Sequence, residues 1–144
     1  MKRFSETQIS KILERLNFYK IEHNLIPIIA QDYKSNEILM LGFANKEAIS
    51  KSLSTGYLHY YSRSKKRLWK KGEESGHVQE IQKIFIDCDF DTILFKVQQQ
   101  GAACHKGYFS CFYNEFIDGN FKIIGKKLFQ PEDVYKNQKK ESSI

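Results

Sequence analysis

The chain has 144 residues, with 23 Lys and Arg against 17 Asp and Glu, and a formal net charge of +6. Its 41% hydrophobic and 14% aromatic content excludes wholesale disorder, and the length suits one domain with a real core. No apolar run approaches the roughly 18 residues of a membrane span, and the polar opening MKRFSETQIS lacks the apolar stretch of a secretory signal. Three cysteines, an odd number, close no disulfide framework. The expectation is a cytoplasmic protein with a single domain over residues 1–144 and no membrane partner.

In chain order, residues 5–20 read as an amphipathic helix. Ser5 and Gln8 have capping-box spacing, and Ile9, Ile12, Leu13 and Leu16 form one apolar stripe. Leu25 to Ala30 is strand-like, with Pro27 placing it near an edge or a strand start. Glu37 to Phe43 is a second such run, and the polar segment between them predicts a hairpin. Asn45 caps a short helix that stops near Gly56. Leu58 to Ser64 is extended and leads into a polar turn through Gly72 and Gly76. Further strands are expected at Val78–Ile86, Thr92–Gln98, Phe109–Phe116 and Phe121–Ile124, with a loose polar tail from Pro131. The pattern predicts an α+β fold: a short-strand-rich, mixed-sheet or barrel-like domain behind an N-terminal helix.

The positive charge is spread along the chain except in Arg63 to Lys71. Most of the cations are lysines, which lack the planar fork that reads base edges, so a nucleic-acid partner is not expected. A denser signal lies in Asp87-Cys88-Asp89-Phe90-Asp91. Three carboxylates at alternate positions repel one another unless a cation intervenes, and hard oxygen ligands suit Mg²⁺ or Ca²⁺. An EF-hand loop would need Gly at the position of Thr92 and Glu at that of Gln98, so it is excluded. Alternate residues of an ideal strand stand roughly 7 Å apart, so the segment must bend for all three carboxylates to share one ion. Cys88 lies inside this run, while Cys104 and Cys111 fall in a segment with His105 and two glycines. A lone cysteine is usually an inert small hydrophobe, but thiolates in a set of three suit Zn²⁺ with one position left for water.

Together these motifs resemble the phosphoribosyl-AMP cyclohydrolase family of histidine biosynthesis. The resemblance is carried by Asn45-Lys-Glu-Ala and His59-Tyr-Tyr-Ser-Arg-Ser64, by Leu68-Trp-Lys-Lys-Gly-Glu-Glu-Ser-Gly76 with Gln79, and by Asp87-Cys-Asp-Phe-Asp91 with Ala103-Cys-His-x-Gly-x-x-Ser-Cys-Phe112. It covers a core of about residues 25–116. Lys106 departs from it, standing where the family shows a small hydroxyl residue. The resemblance implies hydrolysis of the N1–C6 bond of the adenine ring of phosphoribosyl-AMP. It implies Zn²⁺ on Cys88, Cys104 and Cys111, Mg²⁺ on Asp87, Asp89 and Asp91, and an intertwined homodimer with the zinc site shared between subunits. Zinc lowers the pKa of water from 15.7 to about 7, which suits attack on a purine carbon. His105, with an imidazole pKa near neutrality, leads as general base, with Glu73 the second candidate. Arg63, Ser64, Arg67, Lys70 and Lys71 are the candidates for the substrate phosphates.

Three rival readings are weighed against this one. A base deaminase would need a Pro-Cys-x-x-Cys element, which the chain lacks. A zinc-stabilised RNA-binding module would bind with strong salt dependence and have no need of the aspartates. A structural zinc protein would have no turnover.

Overall fold

A computed structural model describes residues 1–134. The chain begins with α1 (Glu6–Arg15), followed by β1 (Ile26–Asp32), β2 (Ile38–Ala44), α2 (Lys46–Thr55), β3 (His59–Ser62), β4 (Arg67–Lys70), β5 (Gln79–Ile86) and β6 (Ile93–Gln99). It closes with β7 (Asn114–Ile117), β8 (Asn120–Ile123) and a helical turn, α3 (Pro131–Val134). Four strands form a sheet in the order β2-β1-β6-β5, while β3-β4 and β7-β8 are separate two-stranded hairpins. β1 and β6 run parallel, and the outer pairs are antiparallel. The mixed α+β class agrees with expectation.

The barrel-like closure does not form among the described residues, because β2 and β5 remain edges of an open sheet. Four strands are too few to curl round an interior of side chains. Two helices and the β3-β4 hairpin cover one face instead. Ile28, Ala30, Phe95 and Val97 of the sheet meet Ile9, Ile49, Leu53 and Tyr60 in one core. Gly42 admits the close approach, since a Cβ there would stand 2.5 Å from the Tyr60 ring.

The expected first helix is too long. Ser5 makes the predicted capping box with Gln8, but the helix stops at Arg15. Leu16 and Phe18, two residues apart, are both buried. That spacing belongs to extended chain rather than to a helix face. The Asn17 N–H donates to the Phe90 carbonyl at 2.7 Å, which fixes the segment against the β5-β6 turn.

Asn45 caps α2 through the Ala48 N–H, and the helix ends at Gly56, both as expected. Strand β4 was not expected, because its sequence Arg67-Leu-Trp-Lys70 lies within a strongly charged stretch. Of the expected Phe109–Phe116 strand only its end lies in β7; residues 109–112 form a loop against β2, where the Cys111 N–H reaches the Leu39 carbonyl at 2.8 Å. Pro131–Val134 is helical where a loose tail was expected, and residues 135–144 lie outside the described residues. Among the described residues, no helix is long and apolar enough to cross a membrane.

Candidate active site

The β3-β4 hairpin builds one wall of a cleft of about 430 Å³. Its register pairs Tyr60 with Trp69 and Ser62 with Arg67. Tyr60 turns inward, stacks on Trp69 at 5.1 Å and donates its hydroxyl proton to Gln79 Oε1 at 2.6 Å. Trp69 is therefore partly committed to the core, with an edge left for the cleft. Beyond β4 the chain turns through Gly72, whose φ of 83° is left-handed and whose missing Cβ would collide with the main chain of His77. This turn brings Glu73, Glu74 and Ser75 round to face Arg67, Lys70 and Lys71 across the cleft.

The expected catalytic and phosphate-binding candidates divide into two groups. Arg67, Lys70, Lys71, Glu73 and His105 all line the cleft. Arg63 and Ser64 do not: the Arg63 guanidinium lies 4.1 Å from the centre of the Phe43 ring, and Ser64 Oγ stands 3.4 Å from Ser62 Oγ. Glu73 forms an ion pair with Arg67 and accepts the Lys70 main-chain N–H at 3.3 Å. Both bonds are local, so the turn sequence itself presents the Arg67 guanidinium.

Lys71 is buried, and its ammonium donates to the carbonyl of Ala103. This contact pins the segment 101–111 beside the end of β4. Burial draws the Lys71 pKa below its ordinary value, opposed by nearby Cys111 and Cys104. The segment is folded tightly: the Cys104 N–H donates to Tyr108 O at 3.0 Å and the Gly107 N–H to Cys104 O at 2.9 Å. Ser110 Oγ donates to Ile38 O at 2.6 Å, tying its far end to the edge of β2. Cys104 and Cys111 are thereby brought close enough to influence each other electrostatically. Burial, and then the neighbouring Cys104, push the Cys111 thiol up to about 11. His105 follows on the cleft side, and its pKa is lowered by desolvation, then by Lys106 and Lys71. The Lys106 N–H points at Cys104 Sγ from 3.4 Å.

The carboxylates sit elsewhere, in the turn between β5 and β6. Asp87 Oδ1 accepts the main-chain N–H of Asp91 at 3.0 Å and of Thr92 at 3.2 Å, and Phe90 takes a left-handed φ of 59°. These bonds supply the bend that an ideal strand would lack. Carboxylate oxygens of Asp87, Asp89 and Asp91 come within 4.8 Å of one another. Lys20 places its ammonium among them, 2.6 Å from Asp89 and 3.0 Å from Asp91. Hydrogen bonds, first from Lys20 and then from Asp87, hold Asp91 down at about 2. Three converging carboxylates are hard oxygen donors of the kind that would suit magnesium, and in this arrangement the Lys20 ammonium already balances part of their charge.

The thiols fit zinc less completely. Among the described residues, the three aspartates are the only set of three or more metal-ligating side chains that converge. Cys88 is exposed in the β5-β6 turn, whereas Cys104 and Cys111 lie beside β2, at the other side of the sheet. One chain therefore brings two soft ligands together and holds the third apart.

Sequence reasoning missed Lys20, which approaches the aspartates from about seventy positions away, with no local pattern to mark it. It also missed His77, whose Nδ1 is buried without a hydrogen-bond partner and whose ring packs edge-on against Phe129 at 4.9 Å. A Cβ on Gly101 would stand 2.6 Å from that ring.

The sequence profile of phosphoribosyl-AMP cyclohydrolase matches residues 40–113, which include the cleft, the aspartates and all three cysteines. The phosphoribosyl-AMP cyclohydrolase of Methanospirillum hungatei is 53% identical over 115 residues, spanning 80% of this chain and 86% of the relative. That of Methanothrix thermoacetophila is 55% identical over 115 residues, spanning 80% and 93%. The histidine biosynthesis bifunctional protein of Thermoanaerobacter pseudethanolicus is 50% identical over 127 residues, spanning 88% of this chain and 58% of the relative. With these residues, in this order, on this much of its length, the chain belongs to the phosphoribosyl-AMP cyclohydrolase family.

Proposed function

We propose that this protein opens the adenine ring of phosphoribosyl-AMP in histidine biosynthesis, in the cytoplasm, as a homodimer. Water adds at C6 and the N1–C6 bond breaks; C6 keeps its exocyclic nitrogen and becomes a carboxamide, while N1, protonated as it leaves C6, stays bonded to C2 as the formamidine nitrogen that carries the ribosyl phosphate. Ring attachment at N1 leaves the purine positively charged, which makes C6 electrophilic and N1 the better leaving atom. The observation that carries this reading is the joining of a cationic cleft to the Cys104–Cys111 pair through Lys71, which lines the one and anchors the segment bearing the other.

Arg67, Lys70 and Lys71 offer charge-assisted hydrogen bonds to phosphate oxygens, and Trp69 offers an aromatic edge to the purine. Glu73 is committed to Arg67 and to the Lys70 main chain, so it acts by holding the guanidinium toward the substrate. His105 is then the proton acceptor for the attacking water. Desolvation and two nearby lysines keep its imidazole neutral at physiological pH, as a base requires. Cys104 and Cys111, with Cys88 of the partner subunit, would hold zinc, and Asp87, Asp89 and Asp91 would hold magnesium. When bound, zinc supplies the Lewis acidity that makes water a competent nucleophile near neutral pH, and magnesium offsets the carboxylate charge.

The test is incubation with phosphoribosyl-AMP, following ring opening by ultraviolet absorbance with and without Mg²⁺. Arg67→Ala should raise KM about tenfold with little change in kcat, the signature of a phosphate contact present in ground and transition states alike. Failure of folded, metal-replete protein to open the ring would refute the proposal.

A further inference from the structure

Three elements meet at the cleft: the β3-β4 hairpin with Trp69, the turn carrying Glu73, Glu74 and Ser75, and the segment carrying His105. One buried chain of hydrogen bonds is tied to all three. Tyr60 Oη donates to Gln79 Oε1 at 2.6 Å, and Gln79 Nε2 donates to Gln99 Oε1 at 2.9 Å. Gln99 Nε2 then donates to the carbonyls of His77 at 3.2 Å and Gln100 at 2.9 Å. Gln79 and Gln99 stand directly opposite each other on β5 and β6, and Tyr60, Gln79 and Gln99 are 1%, 0% and 7% exposed. The direction of the chain is fixed at its far end. Two carbonyls can only accept, so Gln99 presents its amide nitrogen to them and its oxygen to Gln79, which in turn presents its own oxygen to Tyr60. A flipped amide would set oxygen against oxygen at a buried site, at the full cost of the lost bonds.

The ends of this chain sit at the cleft walls. At the near end Tyr60 stacks on Trp69. At the far end His77 is wedged between the other two walls: its main chain fills the space a Cβ on Gly72 would need, and its ring fills the space a Cβ on Gly101 would need. Gln100 opens the segment that leads to His105, and its own N–H reaches the Val78 carbonyl at 3.0 Å. The single side-chain amide of Gln99 therefore holds the turn and the segment at once. We propose that Gln79 and Gln99 are positioning residues for the reaction: the relay from Tyr60 to the His77 and Gln100 carbonyls fixes the spacing between the hairpin that receives the phosphates and the segment that carries His105. Buried as they are, these side chains act through the walls of the cleft and not on the substrate. Buried hydrogen-bonded partners can often be replaced together by apolar groups of the same shape at little cost in stability, so what the relay adds is orientation. The kinetic consequence rests on the ring-opening reading; the tie between the walls does not.

The experiment is steady-state kinetics on Gln99→Met, Gln79→Met and Tyr60→Phe, which cut the relay from its far end to its near end. Val97→Ala, a cavity two residues earlier on the same face of β6, controls for lost stability. Gln99→Met should lower kcat on the order of a hundredfold and leave KM within about twofold, because a displaced reacting group costs rate while the phosphate contacts remain. Gln79→Met should cost about tenfold and Tyr60→Phe about twofold, since the two carbonyls still orient whatever amides are left. Val97→Ala should keep the kcat of the wild type when assayed well below its unfolding midpoint. The kcat–pH profile should keep its shape throughout, because an amide does not titrate. If Gln99→Met does not fold, Gln79→Met carries the same comparison. A wild-type kcat in the glutamine variants, a raised KM at unchanged kcat, or losses that follow the unfolding midpoints rather than the order along the relay would overturn the proposal. A wild type that fails to open the ring would refute the reaction instead, and amide exchange then decides the relay. The N–H groups of Gln100, Ala103 and Cys104, bonded to the carbonyls of Val78, Phe109 and Tyr108, should exchange about tenfold faster in either glutamine variant than in Val97→Ala. Equal rates would overturn it.

Discussion

Cys104 and Cys111 beside β2, and Asp87, Asp89 and Asp91 at the β5-β6 turn, are two clusters of titratable groups built on opposite terms. Cys104 is buried and Cys111 half-buried, and desolvation pushes the Cys111 thiol up to about 11. The carboxylates are left at the surface, and Asp91 is driven the other way, to about 2. Each cluster has a lysine. Lys71 beside the thiols is buried and its main partner is a carbonyl, whereas exposed Lys20 sits directly on the carboxylates and is itself raised by them. Burial thus disfavours the charged form of the Cys111 thiol, whereas the Lys20 ammonium favours the charged form of Asp91. One cluster is shaped by burial, the other by an ion pair at the surface.

The largest expected effect tests that division directly. Cys104→Ser should lose bound zinc and nearly all ring-opening activity, whereas Asp89→Asn should keep zinc and weaken only the response to Mg²⁺, because an amide oxygen is a poorer hard ligand. Metal analysis of the two purified variants checks this, and unchanged zinc in Cys104→Ser would remove that cysteine from the ligand set.

The two lysines give the next contrast. Lys71→Met should leave the Ala103 carbonyl without its donor and lower stability by about 1–3 kcal/mol, with activity falling at least tenfold as segment 101–111 loosens. Denaturant unfolding at fixed pH reads the first effect. Lys20→Met should do the reverse of harm at the other cluster: without a tethered ammonium to displace, Mg²⁺ should bind several-fold more tightly in a calorimetric titration, consistent with the modest worth of an exposed ion pair. Unchanged or weaker Mg²⁺ binding would show that Lys20 does not compete for the carboxylates.

The smallest effect is on the pH profile. Burial lowers His59 from its ordinary 6.5, partly offset by donation of Nδ1–H to the Tyr57 carbonyl at 2.8 Å, and burial likewise lowers His77. Below 6.5 the unfolded chain binds protons that the folded chain refuses, so stability is full above that value and declines as the pH falls beneath it. The Lys20–Asp91 pair behaves otherwise. Its contribution is present above the ordinary 3.8 of Asp91 and is lost only as the pH drops toward about 2. Thermal melts from about pH 7.5 to 5 should therefore show a falling midpoint whose slope His59→Asn reduces, with His77 and His105 supplying the remainder, and Asp91→Asn leaves unchanged.

Much of the molecule is legible in the amino-acid sequence. The capping box at Ser5, the Asn45 cap, the β1-β2 hairpin and the long strands β5 and β6 follow from local propensity and hydrophobic period, which act over a few residues. So do the clusters themselves, because three carboxylates in five positions and thiols seven apart are statements about residue type and spacing. What the sequence could not determine depends on partners distant in the chain. Helix α1 stops at Arg15 because Leu16 and Phe18 are claimed by the core, and β4 forms because Trp69 stacks on Tyr60 across a hairpin whose charge disguises it. Arg63 leaves the cleft for the ring of Phe43, while Arg67, four residues on, stays in it. Lys20 finds the aspartates, and the sheet order sets Cys88 apart from the other two thiols. Each of these outcomes is decided by burial and long-range contact, whose energies exceed any local preference and leave no periodic trace in the chain.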